Sequence, residues 1–175
     1  MYLTATRPDI MHVVSIISRY MKFLTEMHLL AAKRIFQYLL GTSEYGPFYK
    51  KGEKSSLVGF TNSDYAGDLG DRKSTSGYVF MMSLAAISWC SKKQPIVTLS
   101  TTEAEFVAAT VCTCQAIWLR KILEELYFKQ GVVTKVYCDN SSAIKLSKNS
   151  VLHGRSKHID VKFHFLRDLT RDGVI

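Results

Sequence analysis

Short segments with a two-residue hydrophobic period occupy the middle of the chain and limit the folds open to it. Residues 57–62, 77–82 and 86–89 alternate apolar with small or polar side chains, and polar connections separate them. This period predicts β-strands, and strands that follow one another through short connections pair as an antiparallel meander. Residues 48–50 show the same period and are predicted as a further short strand.

Helical periodicity precedes these strands. Apolar residues recur at helical spacing over residues 10–21 and again over residues 25–40, and Gly41 follows the second run. Lys33 and Arg34 lie on the opposite side of the second run. The first fifty residues therefore predict a helical hairpin with a basic outer face.

A second helical region follows the strands and sets the fold class. Residues 100–127 carry an apolar stripe typical of a long helix, residues 134–139 read as a strand, and residues 141–148 and 157–172 predict two more helices. Strands followed by a helix, a strand and further helices indicate an α/β fold. We expect a mixed sheet with flanking helices.

The charge of the chain favours a polyanionic partner. The 175 residues are enough for one domain with an ordinary core, and 23 Lys and Arg against 15 Asp and Glu give a net charge of +8. A basic surface that only maintains solubility is the alternative. The sequence shows neither an uninterrupted apolar run of membrane-spanning length nor a secretory leader, so we expect no membrane partner.

The cysteines and histidines do not predict a structural metal site. Cys90, Cys112, Cys114 and Cys138 lack zinc-finger spacing, and the five histidines are scattered. A serine hydrolase is not indicated either, because no GxSxG segment occurs. We expect the cysteines to be reduced core or near-core thiols of an intracellular protein.

Two acidic side chains are candidates for chemistry. Asp139 ends a predicted strand and precedes a predicted helix, the position where open α/β sheets bind ligands, although it could equally cap that helix. Ser100 and Glu103 fit a capping box at the start of the long helix. Glu105 has no such role and points about 200° round the helix from Glu103. Glu105 is therefore the candidate, with an ordinary surface glutamate as the alternative.

Asn62 and Asp64 add a third candidate position. They lie two residues apart at the end of a predicted strand and so share one of its faces. Carboxylates from two strand ends and a helix start would form a hard-oxygen site for Mg²⁺. Two such ions can activate water against a phosphodiester, so a basic chain with this cluster suggests a nuclease.

The loop at residues 71–77, DRKSTSG, is a candidate for phosphate contacts. Arg72, Lys73, Ser74 and Thr75 offer two cations and two hydroxyls between predicted strands. An ordinary solvated turn is the alternative.

Four segments together resemble one protein family. They are MYLTATRPDI, GFTNSDYAGDLGDRKSTSGYVF, AISWCSKKQPIVTLSTTEAEFVAA and VYCDNSSAIKLSKNSVLHGRSKHIDVKFHFLRD. The chain resembles the Pol polyprotein of copia-type LTR retrotransposons over almost its whole length. The resemblance implies that residues 1–50 correspond to the tail of the reverse transcriptase and its connection, and residues 55–175 to an RNase H domain. It further implies an RNase H-like fold and two-Mg²⁺ hydrolysis of the RNA strand of RNA/DNA hybrids.

The resemblance also assigns the site residues. Glu105 and Asp139 match two catalytic carboxylates of the family, while Asn62 stands where the family has its first catalytic aspartate. Asp64 matches the second aspartate of that pattern and is a possible substitute, although it lies about 7 Å further along the strand. The resemblance places the last catalytic aspartate and the final edge strand beyond Ile175.

We therefore expect a truncated sheet and an impaired or inactive enzyme. We expect weak or single-ion binding of Mg²⁺ or Mn²⁺ through Glu105, Asp139 and Asp64, because a neutral amide adds no charge against the repulsion between two cations. The expected partners are an RNA/DNA hybrid or other nucleic acid and the remainder of the reverse transcriptase. The alternative is a nucleic-acid-binding remnant without catalysis.

Overall fold

Residues 2–50, 56–148 and 160–175 are described by a computed structural model of the chain. The helices and strands, in chain order, are α1 (Tyr2–Thr6), a 3₁₀ turn (Pro8–Ile10), α2 (Met11–Ser18), α3 (Glu26–Gly41), β1 (Leu57–Ser63), β2 (Thr75–Met82), β3 (Ala85–Lys93), α4 (Thr101–Glu125), β4 (Lys135–Tyr137), α5 (Ser141–Lys148) and α6 (Asp160–Arg171).

The four strands form one mixed sheet in the order β3-β2-β1-β4. The pairs β1/β2 and β2/β3 are antiparallel, which confirms the predicted meander. Strand β4 pairs parallel to β1, with Val58 opposite Lys135 and Phe60 opposite Tyr137. The α/β fold with a mixed, RNase H-like sheet and flanking helices is confirmed. Both β1 and β4 end at the same edge of the sheet, where the candidate residues follow them.

Helix α4 covers one face of the sheet, and the main core lies between them. Alternation along β1 turns Leu57, Gly59 and Thr61 to the buried side. A Cβ atom on Gly59 would lie 2.7 Å from Cε1 of Phe80, so this glycine allows the ring of Phe80 to sit against β1. The buried members of this main core are Leu57, Phe80, Cys112, Ala116, Leu119 and Leu123. A second cluster joins α4 to α5 and α6 through Phe106, Ala109, Ala143 and Leu166.

The N-terminal helices are joined by a polar network. The Arg7 guanidinium donates to both carboxylate oxygens of Asp9 and, through Nη1, to the carbonyl oxygen of Thr42 at 2.9 Å. Tyr38 donates to the same Asp9 carboxylate at 2.8 Å, so α3 is fixed to the segment before α2. Trp89 of β3 donates through Nε1 to the carbonyl oxygen of Thr4 at 2.8 Å, which attaches this region to the sheet.

Several predicted boundaries were wrong. The helix predicted over residues 10–21 is shorter, because a 3₁₀ turn at Pro8–Ile10 precedes it and α2 covers Met11–Ser18. Residues 48–50 form no strand, although the Tyr49 hydroxyl donates to the carbonyl oxygen of Ala86. The strand predicted over residues 134–139 is shorter, with Lys135–Tyr137 paired.

Two other predictions involve residues outside those described. The predicted start of the last helix at residue 157 lies there, and α6 is seen from Asp160. The predicted boundary between residues 1–50 and 55–175 also falls on such residues and stays a prediction. All four cysteines lie in the described ranges and are free thiols, as expected, but the predicted core or near-core position is wrong for Cys114, which is exposed.

One helix bears on the prediction about membranes. Among the described residues, α4 is long and apolar enough to cross a bilayer, but 56% of its most apolar window is buried inside the protein. A core helix meets the same criteria of length and composition, so these are weak evidence for a membrane.

Removal of the Phe80 ring tests the core. Phe80 is fully buried between β1 and α4, so Phe80→Ala should lower the free energy of unfolding by about 3–5 kcal/mol. Urea unfolding followed by circular dichroism measures this. Phe36→Ala is the control, since its ring is 68% exposed and its loss should have little effect. Equal effects of the two substitutions would contradict this description of the core.

Candidate active site

Three side chains from two distant parts of the sequence converge at the edge of the sheet. Among the described residues, Glu105, Cys138 and Asp139 each offer a ligand atom, and these atoms lie within 4.8 Å of one another. Glu105 is in the first turns of α4, while Cys138 and Asp139 follow β4 directly. The cluster combines two carboxylates with a thiol.

Glu105 is held at the end of β1. Its carboxylate is buried, and Oε1 accepts a hydrogen bond from the backbone N–H of Ser63 at 2.8 Å. Cys138 Sγ lies 3.8 Å from Oε2. Burial raises the pKa of Glu105, with a further contribution from the charge of Asp139, while the N–H of Ser63 opposes this shift. Glu105 is therefore a buried group and not a surface glutamate.

Glu103 has the structural role predicted for it, with one change of partner. The Ser100 hydroxyl accepts from the backbone N–H of Glu103 at 3.1 Å, as in a capping box. The Glu103 carboxylate accepts from the backbone N–H of Leu99 at 2.9 Å and not from that of Ser100. The two neighbouring glutamates thus stabilise different segments: Glu103 the entry to α4, and Glu105 the end of β1.

Asp139 does not cap the helix that follows it. The Asn140 side chain takes that role, because its Oδ1 accepts from the backbone N–H of Ala143 at 2.9 Å. Asp139 is exposed beside Glu105. The alternative explanation of Asp139 as a helix cap is therefore wrong.

Asn62 lies at the same edge of the sheet as Asp139. The parallel pairing of β1 and β4 ends at Phe60 and Tyr137, and Asn62 and Asp139 each follow two residues further along. Asn62 is exposed, and both residues line the same cleft of about 710 Å³. The position predicted to correspond to the family's first catalytic aspartate is thus occupied by a neutral amide at the mouth of the site.

Asp64 has a different environment. Strand β1 ends at Ser63, and the Asp64 carboxylate accepts the backbone N–H of Thr75, while its own N–H donates to the carbonyl oxygen of Thr75 at 3.1 Å. A Cβ atom on Gly67 would collide with this carboxylate, so the turn packs directly against it. Asp64 lines the cleft but closes the loop at residues 64–75, and it is not in the cluster with Glu105.

The four residues predicted for phosphate contacts divide into two pairs. Ser74 is fully buried, where its hydroxyl accepts from the N–H of Ala66, and Thr75 is only 7% exposed. Neither hydroxyl is at the surface. Arg72 is exposed, and Lys73 is half-buried near Asp71. Of this loop, Arg72 and Lys73 remain available to a phosphate.

Asp68 fixes the same loop to the sheet. Its carboxylate contacts Lys93 Nζ at 2.6 Å and accepts from the N–H groups of Gly70 and Asp71. Lys93 is the main cause that lowers the pKa of Asp68 to about 2, and the two backbone N–H groups add to it.

The sequence did not indicate two residues at the site. Cys138 was predicted only as a thiol, although its position next to Asp139 was a usable signal. Gln94 donates to Ser63 Oγ at 3.2 Å and to the carbonyl oxygen of Ala104 at 2.9 Å. Ser63 is the residue whose N–H binds Glu105, and Ala104 is the residue before Glu105. A single glutamine after a strand has no periodicity or spacing that marks it as buried.

Comparison with known proteins places this chain among transposon proteins. It is 46% identical over 170 residues, 97% of its length, to a retrovirus-related Pol polyprotein from transposon TNT 1-94 of Nicotiana tabacum. It is 41% identical over 174 residues to the Pol polyprotein from transposon RE1 of Arabidopsis thaliana. The chain belongs to the retrovirus-related Pol polyproteins of transposons. The copia-type resemblance is thereby confirmed.

The chain corresponds to a small part of these relatives. It spans 13% of the tobacco Pol polyprotein and 12% of the RE1 Pol polyprotein. It is also 41% identical over 120 residues to the secreted RxLR effector protein 161 of Plasmopara viticola, of which it covers 84%. No protein-family model matches the chain.

The contact between Asp68 and Lys93 predicts a pH-dependent stability. A carboxylate whose pKa falls from 3.8 to about 2 on folding stabilises the protein above pH 4, and this contribution is lost as the pH falls toward 2. At pH 7, Asp68→Asn should lower the free energy of unfolding by about 1–2 kcal/mol. Urea unfolding from pH 7 to pH 3 should show the difference from the unaltered chain shrink below pH 4.

Asp172→Asn is the control for this measurement. Asp172 is mostly exposed and pairs with the exposed Arg171, so its loss should matter little at any pH. A constant difference between Asp68→Asn and the unaltered chain across the whole range would be inconsistent with the pairing.

Proposed function

We propose that this part of the Pol polyprotein is an RNase H domain whose ancestral reaction is metal-dependent hydrolysis of the RNA strand of RNA/DNA hybrids. The observation that carries the proposal is the convergence of Glu105 and Asp139 at the common end of β1 and β4. Such an arrangement of carboxylates at strand ends is typical of α/β enzymes that bind hard cations. Membership of the Pol polyproteins supports the same reading.

The donor set fits a divalent cation. Burial and the charge of Asp139 together raise the pKa of Glu105, and a cation between the two carboxylates would relieve this cost. Glu105 and Asp139 would hold Mg²⁺ or Mn²⁺, and Asn62 could add a neutral amide oxygen. When bound, the ion supplies charge stabilisation and an activated water for phosphodiester hydrolysis. Asp64 would take part only if its carboxylate left the N–H of Thr75.

Asn62 accounts for the proposed impairment. A carboxylate at position 62 would add a third anion to the two that Glu105 and Asp139 offer an ion, because the Asp64 carboxylate, although it lines the cleft, is held by the N–H of Thr75. Two divalent cations about 4 Å apart repel strongly and need several anionic ligands. We therefore propose that this copy binds a single ion weakly and has lost most of its hydrolytic activity.

The proposed partners follow from charge and family. A net charge of +8, with Arg72 exposed in the loop whose Thr75 lines the cleft, suits the phosphates of an RNA/DNA hybrid. The remainder of the reverse transcriptase in the parent polyprotein is the proposed protein partner. We propose an intracellular location, where reverse transcription intermediates would occur.

A cleavage assay on a labelled RNA/DNA hybrid tests the catalytic assignment. Asn62→Asp adds the third carboxylate and should raise Mn²⁺-dependent cleavage by a factor on the order of 10² over the unaltered chain. Adding Glu105→Gln to that variant should abolish the gain. The matched control is Glu103→Gln, since Glu103 is equally buried two residues away but caps α4. Cleavage that survives Glu105→Gln, or is lost equally in Glu103→Gln, would refute the assignment.

A nucleic-acid-binding remnant without catalysis is the second candidate function. The neutral Asn62 and the surviving basic loop favour it. The double substitution of Arg72 and Lys73 by Ala should weaken hybrid binding and reduce the slope of affinity against salt by up to about two. Fluorescence anisotropy from 50 to 200 mM salt measures both quantities.

The matched control for binding removes one lysine near the end of α4 and one just after that helix. Lys121 and Lys129 replaced by Ala lower the net charge equally but lie away from the cleft. If both double variants bind alike, the affinity is a property of overall charge and the loop has no specific role.

A further inference from the structure

Gln94 occupies an unusual position for a glutamine. It follows β3 directly, is 3% exposed, and its backbone N–H donates to the carbonyl oxygen of Ser74 at 2.8 Å. Its side-chain Nε2 contacts three acceptors: Ser76 Oγ at 2.7 Å, Ala104 O at 2.9 Å and Ser63 Oγ at 3.2 Å. One amide thus joins the end of β1, the start of β2 and the first turn of α4.

The orientation of this amide is set by its environment. A backbone carbonyl can only accept a hydrogen bond, so the contact with Ala104 places the NH₂ group, and not the oxygen, against α4. Gln94 Oε1 is then left buried, with no hydrogen-bond partner among the described residues. A buried amide that satisfies only its donor side lowers stability, so a role in folding alone is a poor explanation for it.

Two of the three residues that Gln94 contacts, Ser63 and Ala104, also determine the position of Glu105. Ala104 is the residue before Glu105 in α4, and Ser63 donates its backbone N–H to Glu105 Oε1 at 2.8 Å. Movement of either Ala104 or Ser63 would change the direction of the Glu105 carboxylate. Gln94 fixes both of them relative to each other from a third element of the fold.

We propose that Gln94 is the positioning residue of the metal centre. Its amide locks the end of β1 against the first turn of α4, so that the Glu105 carboxylate stays on the Ser63 N–H and faces Asp139. Gln94 itself does not touch the ion or the substrate. The inference rests on the proposed function, because the importance of that geometry depends on a cation bound by Glu105 and Asp139.

Mn²⁺ affinity, measured by electron paramagnetic resonance on the folded chain, tests the proposal. Gln94→Met keeps the size of the side chain and removes the NH₂ group that makes all three contacts, and it should weaken Mn²⁺ binding about tenfold or more, as loss of an outer hydrogen-bond partner typically does. Gln115→Met is the matched control. Gln115 also joins α4 to β3, through Ser88 Oγ at 3.3 Å, but at a distance from the centre along the helix. The Gln115→Met variant should bind Mn²⁺ with the same affinity as the unaltered chain.

A second readout does not require the metal. Hydrogen exchange of the Ser63 amide, followed by NMR, reports its bond to Glu105, and protection should fall in Gln94→Met and not in Gln115→Met. If Gln94→Met does not fold, Ser76→Ala replaces it, since it removes the shortest of the three contacts. That variant should show smaller losses in the same direction.

The outcomes separate this inference from the proposed function. Unchanged Mn²⁺ affinity in Gln94→Met, where Glu105→Gln abolishes binding, overturns the positioning role and leaves the metal centre in place. If Glu105→Gln binds Mn²⁺ as the unaltered chain does, the proposed function fails. Hydrogen exchange of the Ser63 amide then tests the positioning role by itself. Loss of protection in Gln94→Met alone then supports a positioning role toward the carboxylate, and unchanged protection overturns it.

Discussion

Burial of the first turns of α4 is the constraint on which the rest of the site depends. Every residue from Glu103 to Thr110 is buried, because the sheet lies on one side of the helix and α5 and α6 on another. Two carboxylates are thereby carried into the interior, where each needs a hydrogen-bond donor. The N–H groups of Leu99 and Ser63 are those donors. The packing of one helix thus determines both how α4 begins and where Glu105 points.

Much of the fold could be predicted because local and tertiary preferences agree. The alternation in β1, β2 and β3 coincides with burial against α4, so the hydrophobic period identified the strands and their short connections gave the antiparallel order. The weaker predictions fail where the hydrophobic period extends beyond the structure that forms. Apolar residues recur at helical spacing up to Met21 but α2 ends at Ser18, and residues 48–50 have strand-like alternation but no partner strand in the described sheet.

The sequence singled out Glu105 and Asp139, which the fold brings together, but it also included Asp64, which lies outside their cluster, and it did not indicate the groups around them. Glu105 could be singled out because Glu103 already had a capping role, and Asp139 because it follows a strand. The sequence did not indicate that Ser74 and Thr75 are buried, since hydroxyl side chains occur readily on either side of a surface turn. Nor could it show that Asn140 caps α5 in place of Asp139, because neighbouring Asp and Asn have similar capping preferences.

The exposure of Asn62 separates folding from chemistry at this position. Its side chain lies outside the core, while its backbone pairs with Gly77 in the ladder between β1 and β2. Aspartate and asparagine have the same shape, so the folded state makes almost no distinction between them here. Selection for a stable domain would therefore leave position 62 free to drift between charged and neutral forms. Screens that read out solubility or melting temperature would class this substitution as silent, although it alters the charge of the cleft.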